Sequence, residues 1–377
     1  MHILSLQPYF GGSHQAFQTG WQRHSRHDWT VLTLPPRHWK WRMRHAAVEF
    51  ARQLYDANAA DYDAVVCSDF LNVAEFRGLV DEPFRRLPLV LYFHENQFAY
   101  PSRRYDERDL HFGFTNFTSC LAADQIWFNS AWNRDSFFVG LERACQKWPD
   151  YQPIKSIETI RTKCRIEPPG INVPPAEISR PSDDASVSIL WASRWEHDKN
   201  PGLLLEALRE FRNRDLPFRL NVIGQSFRRV PEEFEQIRAE FAGQIERWGY
   251  QQADDYWLAL QEADAFISTA DHEFFGIAAA EAIACGLFPL LPDRLAYPEL
   301  IRTQNDSRRA DLCLYDGTAQ DLAQKLEYFV RHGCTEEMQE LRIKLQLDLV
   351  AELAWLTRAP KMDAQIEGIC ASFCPIG

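Results

Sequence analysis

Short apolar runs alternate with longer amphipathic stretches from one end of the chain to the other. "HILSLQ" (2–7), "WTVLTL" (29–34), "AVVCSD" (64–69), "LVLYFHE" (89–95) and "IWFNS" (126–130) are β-branched or aromatic runs of strand length. Helix-like segments such as 13–25 and 109–123 separate them, an order that predicts βα units around a parallel sheet. The polar, Pro-bearing stretch "IEPPGINVPPAEISRPSDDAS" (166–186) interrupts the pattern and reads as an interdomain linker. Beyond it the alternation resumes with "VSILWAS", "FRLNVIG", "DAFIST", "LFPLLP" and "LCLYD". Two successive open α/β domains are expected, and in such sheets ligands bind outside the carboxyl ends of the strands.

Composition narrows this picture. A chain of 377 residues suits two domains rather than one core, and 46% apolar with 25% charged residues is a globular composition. The nine cysteines (67, 120, 145, 164, 285, 313, 334, 370 and 374) are scattered with no CxxC pair, and read as reduced, mostly buried thiols. No basic leader precedes the first strand and no apolar run approaches about 18 residues, so neither secretion nor a membrane span is expected. The net charge is −12, yet "LPPRHWKWRMRHA" (34–46) lies in a gap without Asp or Glu between Asp28 and Glu49. Arg37, Lys40, Arg42 and Arg44 sit there beside Trp39 and Trp41. Cations for phosphates and flat rings for splayed bases are what single-stranded or looped RNA requires. The alternative is a surface loop whose tryptophans pack inward and whose arginines are merely wet.

Three further stretches carry candidate chemistry. In "QPYFGGSH" (7–14), Gly11 and Gly12 follow the first strand and permit either a tight strand-to-helix turn or an anion cradle. In "LWASRWEHDKNP" (190–201), Arg194 and Lys199 precede a helix expected to start at Asn200 or Pro201, an N-cap and N1 pair. They suit a diphosphate leaving group, or are a solvated basic turn. In "HEFFGIAAAEAIACG" (272–286), Glu273 precedes a turn, Gly276 stands at the expected helix start, and Glu281 lies inside an otherwise small and apolar helix. A carboxylate buried there needs a partner. The spacing lets Glu273 reach a sugar while Glu281 accepts ribose hydroxyls; a capping Glu and a solvent-facing Glu are the bland alternative.

Together these residues resemble a retaining glycosyltransferase of family 4. That resemblance implies the GT-B fold, an α/β architecture of two Rossmann-like domains facing each other across a cleft. More narrowly, "FGGSH", "LPPRHWKWRMR", "YFHENQFAYP", "ERDLHFGFTNFTSCLAAD" and "FNSAWNRDSF" resemble the tRNA-queuosine mannosyltransferases over roughly residues 1–175. The resemblance implies an acceptor (tRNA) domain at 1–172, a nucleotide-sugar domain at 178–352, and a helical segment at 353–377 packing back toward the first. It implies mannose transfer from GDP-mannose to the cyclopentenediol of queuosine in the anticodon of tRNA-Asp, in the cytoplasm. The partners are then the tRNA anticodon arm and a nucleotide sugar, with no cofactor, metal, membrane or protein partner. Catalytic roles fall to His94, Arg194, Lys199 and Glu273, and the leaving phosphate itself takes the acceptor's proton. The donor set is Gly11, Gly12, Arg194, Lys199, Gly224, Gln225, Phe275, Gly276, Ile277 and Glu281, with base and hexose read by loops at "VIGQSF" and "ERWGYQ". For the acceptor the resemblance adds Ser13, His14, Asn96, Gln97, Tyr100 and Asn116 to the basic segment of Arg37, Trp39, Lys40, Trp41, Arg42 and Arg44. A lipid or polysaccharide acceptor, or a catalytically silent RNA-binding protein on the same fold, are the competing readings.

Overall fold

A computed structural model of the chain describes residues 1–100, 110–147, 150, 152–173, 186–226, 229–302 and 306–373. The chain forms two compact units, one of Met1–Gly170 with Trp355–Gly377 and one of Ile171–Ala354. The second unit begins inside the stretch read as a linker, of which 174–185 lie outside the described residues; so do Phe227 of "VIGQSF" and Cys374. The eight cysteines that are described are free thiols. No helix among the described residues is long and apolar enough to cross a membrane.

In the first unit the strands are β1 (His2–Gln7), β2 (Asp28–Thr33), β3 (Ala64–Ser68), β4 (Leu89–Phe93), β5 (Gln125–Phe128) and β6 (Cys164–Ile166). They pair in parallel in the order β2-β1-β3-β4-β5-β6. Strand side chains alternate between faces, and here they sort into two separate cores. Leu4, Leu6, Val65, Cys67, Leu89, Leu91 and Phe93 pack on one side, and Ile3, Ala64, Val66, Val90 and Tyr92 on the other. Burial on both faces makes these strands read as continuous apolar runs. β6 is only half-buried and carries no such run, which is why the pattern omits it.

The second core is closed by the helix Trp355–Ser372, whose Trp355, Ala359, Met362, Ile366 and Ile369 recur at helical spacing against Phe17, Trp21 and Trp127. Trp355 sits so tightly between Gly20 and Gly170 that a Cβ at either glycine would lie 2.2 Å from its indole. Asp363, fully buried, accepts hydrogen bonds from Trp21 Nε1 (2.8 Å), Ser25 Oγ (2.9 Å) and the Arg26 N–H (2.9 Å).

Residues 34–46, read at their blandest as a surface loop, instead run into the helix Trp39–Gln53. Met43, Ala46, Ala47 and Phe50 give it a buried stripe at helical spacing, and the aromatic and basic positions at its start hide that period.

The second unit holds β7 (Val187–Ala192), β8 (Phe218–Ile223), β9 (Ile245–Gly249), β10 (Ala265–Ile267), β11 (Phe288–Pro292) and β12 (Leu314–Tyr315). They form a parallel sheet in the order β12-β11-β10-β7-β8-β9. "ERWGYQ", expected as a loop, is strand β9 as far as Gly249; as an edge strand it is only partly buried and carries charge, so no apolar run marks it. Strand order reverses between β1 and β3 in one sheet and between β7 and β10 in the other. Ligand crevices in open α/β sheets form at such reversals; Gly11, Gly12, Ser13 and His14 follow β1 in the first unit, and Arg194 and Lys199 follow β7 and Glu273 follows β10 in the second.

Candidate active site

In the second unit the loops after β7 and β10 are fastened to each other. The Asp271 N–H donates to Asp198 O (2.8 Å), and Thr269 Oγ1 donates to Lys199 O (2.7 Å) while accepting from Trp191 Nε1 (3.0 Å). Asn200 caps the helix Pro201–Arg212 by accepting from the Leu203 N–H (3.0 Å). This brings Lys199 to Glu273, 74 residues away in sequence: Lys199 Nζ lies 3.3 Å from Glu273 Oε2, 3.2 Å from Asp198 Oδ2, and donates to His272 O at 2.6 Å. Burial would lower the proton affinity of Lys199, but Glu273 and Asp198 outweigh it and hold the ammonium above its ordinary range. Burial likewise pushes Glu273 up, and Lys199 and His272 more than reverse it, so the carboxylate stays ionised. His272 is driven down to about 4 by burial and by the Lys199 charge. Arg194 is half-exposed and lies 3.1 Å from Glu196.

Gly276 starts the helix Ile277–Ala284 with φ 92, a conformation that favours glycine. The first-turn N–H groups of that helix have no partners within it, and its positive end suits an anion. Phe275 is buried just before this turn and Ile277 half-buried just after it.

A pocket of about 210 Å³ opens at the carboxyl ends of β7 and β8, lined by Ala192, Ser193, Ile223, Gly224, Gln225, Tyr250, Gln251, Tyr256 and Ala278. Gly224 lets two loops touch, since a Cβ there would meet Ser193 O at 1.7 Å. The Tyr256 hydroxyl on the pocket wall donates to Glu281 Oε2 at 2.7 Å. Burial pushes the Glu281 carboxyl up to about 7, opposed only by that hydrogen bond. The arrangement offers a mainly apolar slot for a flat ring with a carboxylate at one end.

In the first unit, Gly11 admits the segment 34–38 closely, because a Cβ there would lie 2.5 Å from Pro36. Gly12 begins the helix Gly12–His24 with φ 55, and Ser13 is exposed on its first turn. His14 and His94 are buried with ring centroids 4.0 Å apart. Burial lowers His14 to about 3 and, with His14 as a second cause, carries His94 well below its usual range, so both imidazoles are neutral. His94 is fixed by its backbone: its N–H donates to Asp69 Oδ1 (3.1 Å) and its carbonyl accepts from Asn129 Nδ2 (2.8 Å).

Asn96 and Asn116, both fully buried, spend their amides inside the protein. Asn96 donates to Asn133 and accepts from the Ala99 N–H, whereas Asn116 donates to Asp69 O and accepts from the Gln97 N–H. They shape the loop after β4. Gln97 donates to Glu95 Oε1 (3.0 Å), and Tyr100 lies 6.4 Å from Trp39 between ring centroids.

Arg37, Lys40 and Arg44 are exposed on or beside the helix Trp39–Gln53, and Trp41, 58% exposed, stacks on His45 with centroids 4.8 Å apart. Arg42 differs from the other cations: it is buried and donates to Pro35 O (3.1 Å), holding the turn before the helix. Trp39 is half-buried against Phe70 and Phe112. A run of ring contacts then leads from the helix start inward, Trp39 to Phe70, Phe70 to His14, and His14 to His94.

Sequence reasoning missed Asp69, Asp198 and Tyr256. Asp69 had a legible signal, a carboxylate directly after the buried run of β3; the other two are defined only by long-range contacts.

Two family models match the chain, "tRNA-queuosine alpha-mannosyltransferase N-terminal" over residues 2–171 and "Glycosyl transferases group 1" over residues 178–344. The chain is 35% identical over 341 residues to the tRNA-queuosine alpha-mannosyltransferase of Drosophila melanogaster, covering 88% of this chain and 87% of that protein. A shorter match, 28% identical over 122 residues, is to the GDP-mannose:cellobiosyl-diphosphopolyprenol alpha-mannosyltransferase of Xanthomonas campestris, with 32% of this chain and 31% of that one covered. Among solved structures, sucrose-phosphate synthase from Thermosynechococcus elongatus superposes with TM-score 0.71 at 13% identity, over 99% of this chain and 100% of that one. Anabaena HepE in complex with UDP and glucose gives 0.69 at 12% identity, over 98% and 100%. These likenesses establish the fold as GT-B.

Proposed function

The chain belongs to the tRNA-queuosine alpha-mannosyltransferase family and is a glycosyltransferase, and from that premise we propose that it moves mannose from GDP-mannose to the cyclopentenediol of queuosine at the anticodon wobble position of tRNA-Asp, with retention of configuration. The observation that carries this is the 35% identity over most of both chains. The geometry supports a division of labour consistent with it.

The donor belongs to the second unit. The base fills the slot lined by Gln225, Tyr250 and Gln251, the ribose hydroxyls donate to Glu281, and the diphosphate lies at the start of the helix Ile277–Ala284 with Arg194 and Lys199. Lys199 does double duty, since it also fixes the Glu273 carboxylate that accepts from a mannose hydroxyl. Charge growing on the departing phosphate meets preorganised cations and helix N–H groups, the environment in which such interactions count most. In a front-face displacement the leaving phosphate oxygen takes the acceptor's proton, so no protein nucleophile is needed. We propose that the reaction needs no divalent metal, because these groups already supply positive field, and that it proceeds in the cytoplasm, where tRNA is modified.

The acceptor belongs to the first unit. Arg37, Lys40 and Arg44 hold phosphates, Trp41 stacks on a base, and the neutral pair His14 and His94 receives the modified nucleoside.

The test is transfer itself. Purified protein, GDP-mannose and queuosine-containing tRNA are incubated, and the RNA is digested and analysed by mass spectrometry. A queuosine heavier by one hexose is expected, with no product from tRNA carrying guanosine instead, and an unchanged rate when EDTA is added. Absence of hexosylated queuosine with every sugar nucleotide tried overturns the reading.

A further inference from the structure

At the carboxyl end of β3 stands a carboxylate that no sequence motif singled out. Asp69 is fully buried. Its own N–H donates to Tyr92 O (2.9 Å) and its Oδ1 accepts from the His94 N–H (3.1 Å), which fixes it to the end of β4. Among the described residues its Oδ2 has no hydrogen-bond partner, and neither do Ser68 Oγ, His14 Nδ1 and His94 Nε2. Buried polar atoms are nearly always paired in folded proteins. Four orphans at the ends of β3 and β4 and on the helix after β1, linked by the His14–His94 ring contact and the His94 N–H to Asp69 hydrogen bond, mark a place that a ligand completes.

The chemistry of that ligand follows from the cluster. Two imidazoles, both kept neutral by burial, offer hydrogen bonds but no charge. Burial and the nearby Glu95 carboxylate push the Asp69 carboxyl well above its ordinary range, and backbone N–H donors only partly oppose them, so among the described residues the protonated form is favoured. A ligand that carries a positive charge beside hydroxyl groups would let Asp69 ionise and would satisfy the ring nitrogens. Queuosine has that composition, a basic secondary amine attached to a cyclopentenediol, and unmodified guanosine lacks both.

We propose that Asp69 is an acceptor-binding residue: its Oδ2 takes the protonated amine of queuosine, while the unpartnered nitrogens of His14 and His94 take the vicinal hydroxyls. The proposal rests on the acceptor reading above and adds the residue that separates a modified from an unmodified anticodon. The ring contacts from Trp39 to His94 connect the exposed basic helix with this cluster, so one continuous surface and interior would hold both the backbone and the nucleoside.

The test pairs a variant with a probe. Asp69→Asn keeps the acceptor for the His94 N–H and removes the charge. It is expected to raise KM for queuosine tRNA by about 10-fold or more, with GDP affinity and acceptor-free hydrolysis of GDP-mannose unchanged. Against the unaltered protein, 3-aminocyclopentane-1,2-diol should inhibit competitively with tRNA and better than cyclopentane-1,2-diol, and this advantage should vanish in Asp69→Asn. Equal inhibition by the two diols overturns the proposal even if the variant fails to fold, and so does an unchanged KM in a folded variant. Donor hydrolysis without any transfer to queuosine tRNA in the unaltered protein would overturn the acceptor reading, and with it this assignment.

Discussion

Replacing Glu281 by Gln should make the protein more stable and a poorer nucleotide binder, with both effects set by pH. An unfolded Glu loses its proton near 4.5, whereas folded Glu281 keeps it up to about 7. Between those values the folded state holds a proton that the unfolded state has released, so stability falls as pH rises through this window and is flat outside it. Each pH unit of difference is worth about 1.4 kcal/mol, which sets an upper bound of about 3.5 kcal/mol; partial exposure of the side chain brings the expectation to roughly 1.5–3 kcal/mol. Gln does not titrate and can still accept the hydrogen bond from Tyr256. The Tm of Glu281→Gln should therefore match the unaltered protein near about pH 4 and exceed it by about 3–12 °C near about pH 8.5, at roughly 2–4 °C per kcal/mol for a domain of this size. Affinity for GDP at the higher pH should fall on the order of 10-fold, because charge-assisted bonds to ribose are lost. Thermal unfolding at the two pH values, with and without GDP, checks both halves. An equal Tm difference at both pH values would refute the reasoning, since a buried ionisation is its only source.

Lys199→Met should lower turnover by about 10- to 1,000-fold while tRNA binding is retained; normal turnover in a folded variant removes Lys199 from the donor site. The triple change of Arg37, Lys40 and Arg44 to Ala should weaken tRNA binding and flatten its dependence on salt by about 2 in the log–log slope. Trp41→Ala should cost about 1–3 kcal/mol of tRNA binding if its ring stacks on a base, and unchanged binding in either case assigns that face elsewhere. Arg42→Ala should instead lower Tm with little change in the salt slope, because its guanidinium is spent on Pro35 O.

How legible these features were in the sequence depended on the range of the forces that make them. β1, β3 and β4 announce themselves because both faces are buried and most positions are apolar. β6 and β9 do not, since a half-buried edge tolerates charge. Asn200 and Gly276 were readable as helix starts from local capping chemistry alone. The partners of Lys199 and Glu281 were not, because Glu273 and Tyr256 reach them across 74 and 25 residues of chain. Arg42 and Arg44 look alike in a basic run, and only packing makes one a strut and leaves the other exposed.

The helix that begins at Trp355 also bears on how the protein is made. On the ribosome, residues 1–170 emerge first, with the notch between Gly20 and Gly170 unfilled and the apolar face of Phe17, Trp21 and Trp127 uncovered. The roughly 180 residues of the second unit must then be translated before Trp355 appears, a wait of about 10–40 s at 5–20 residues per second. Throughout that interval the nascent first unit keeps that apolar face uncovered, and a stalled or truncated transcript would yield a chain whose first unit never closes even though its own strands are all present.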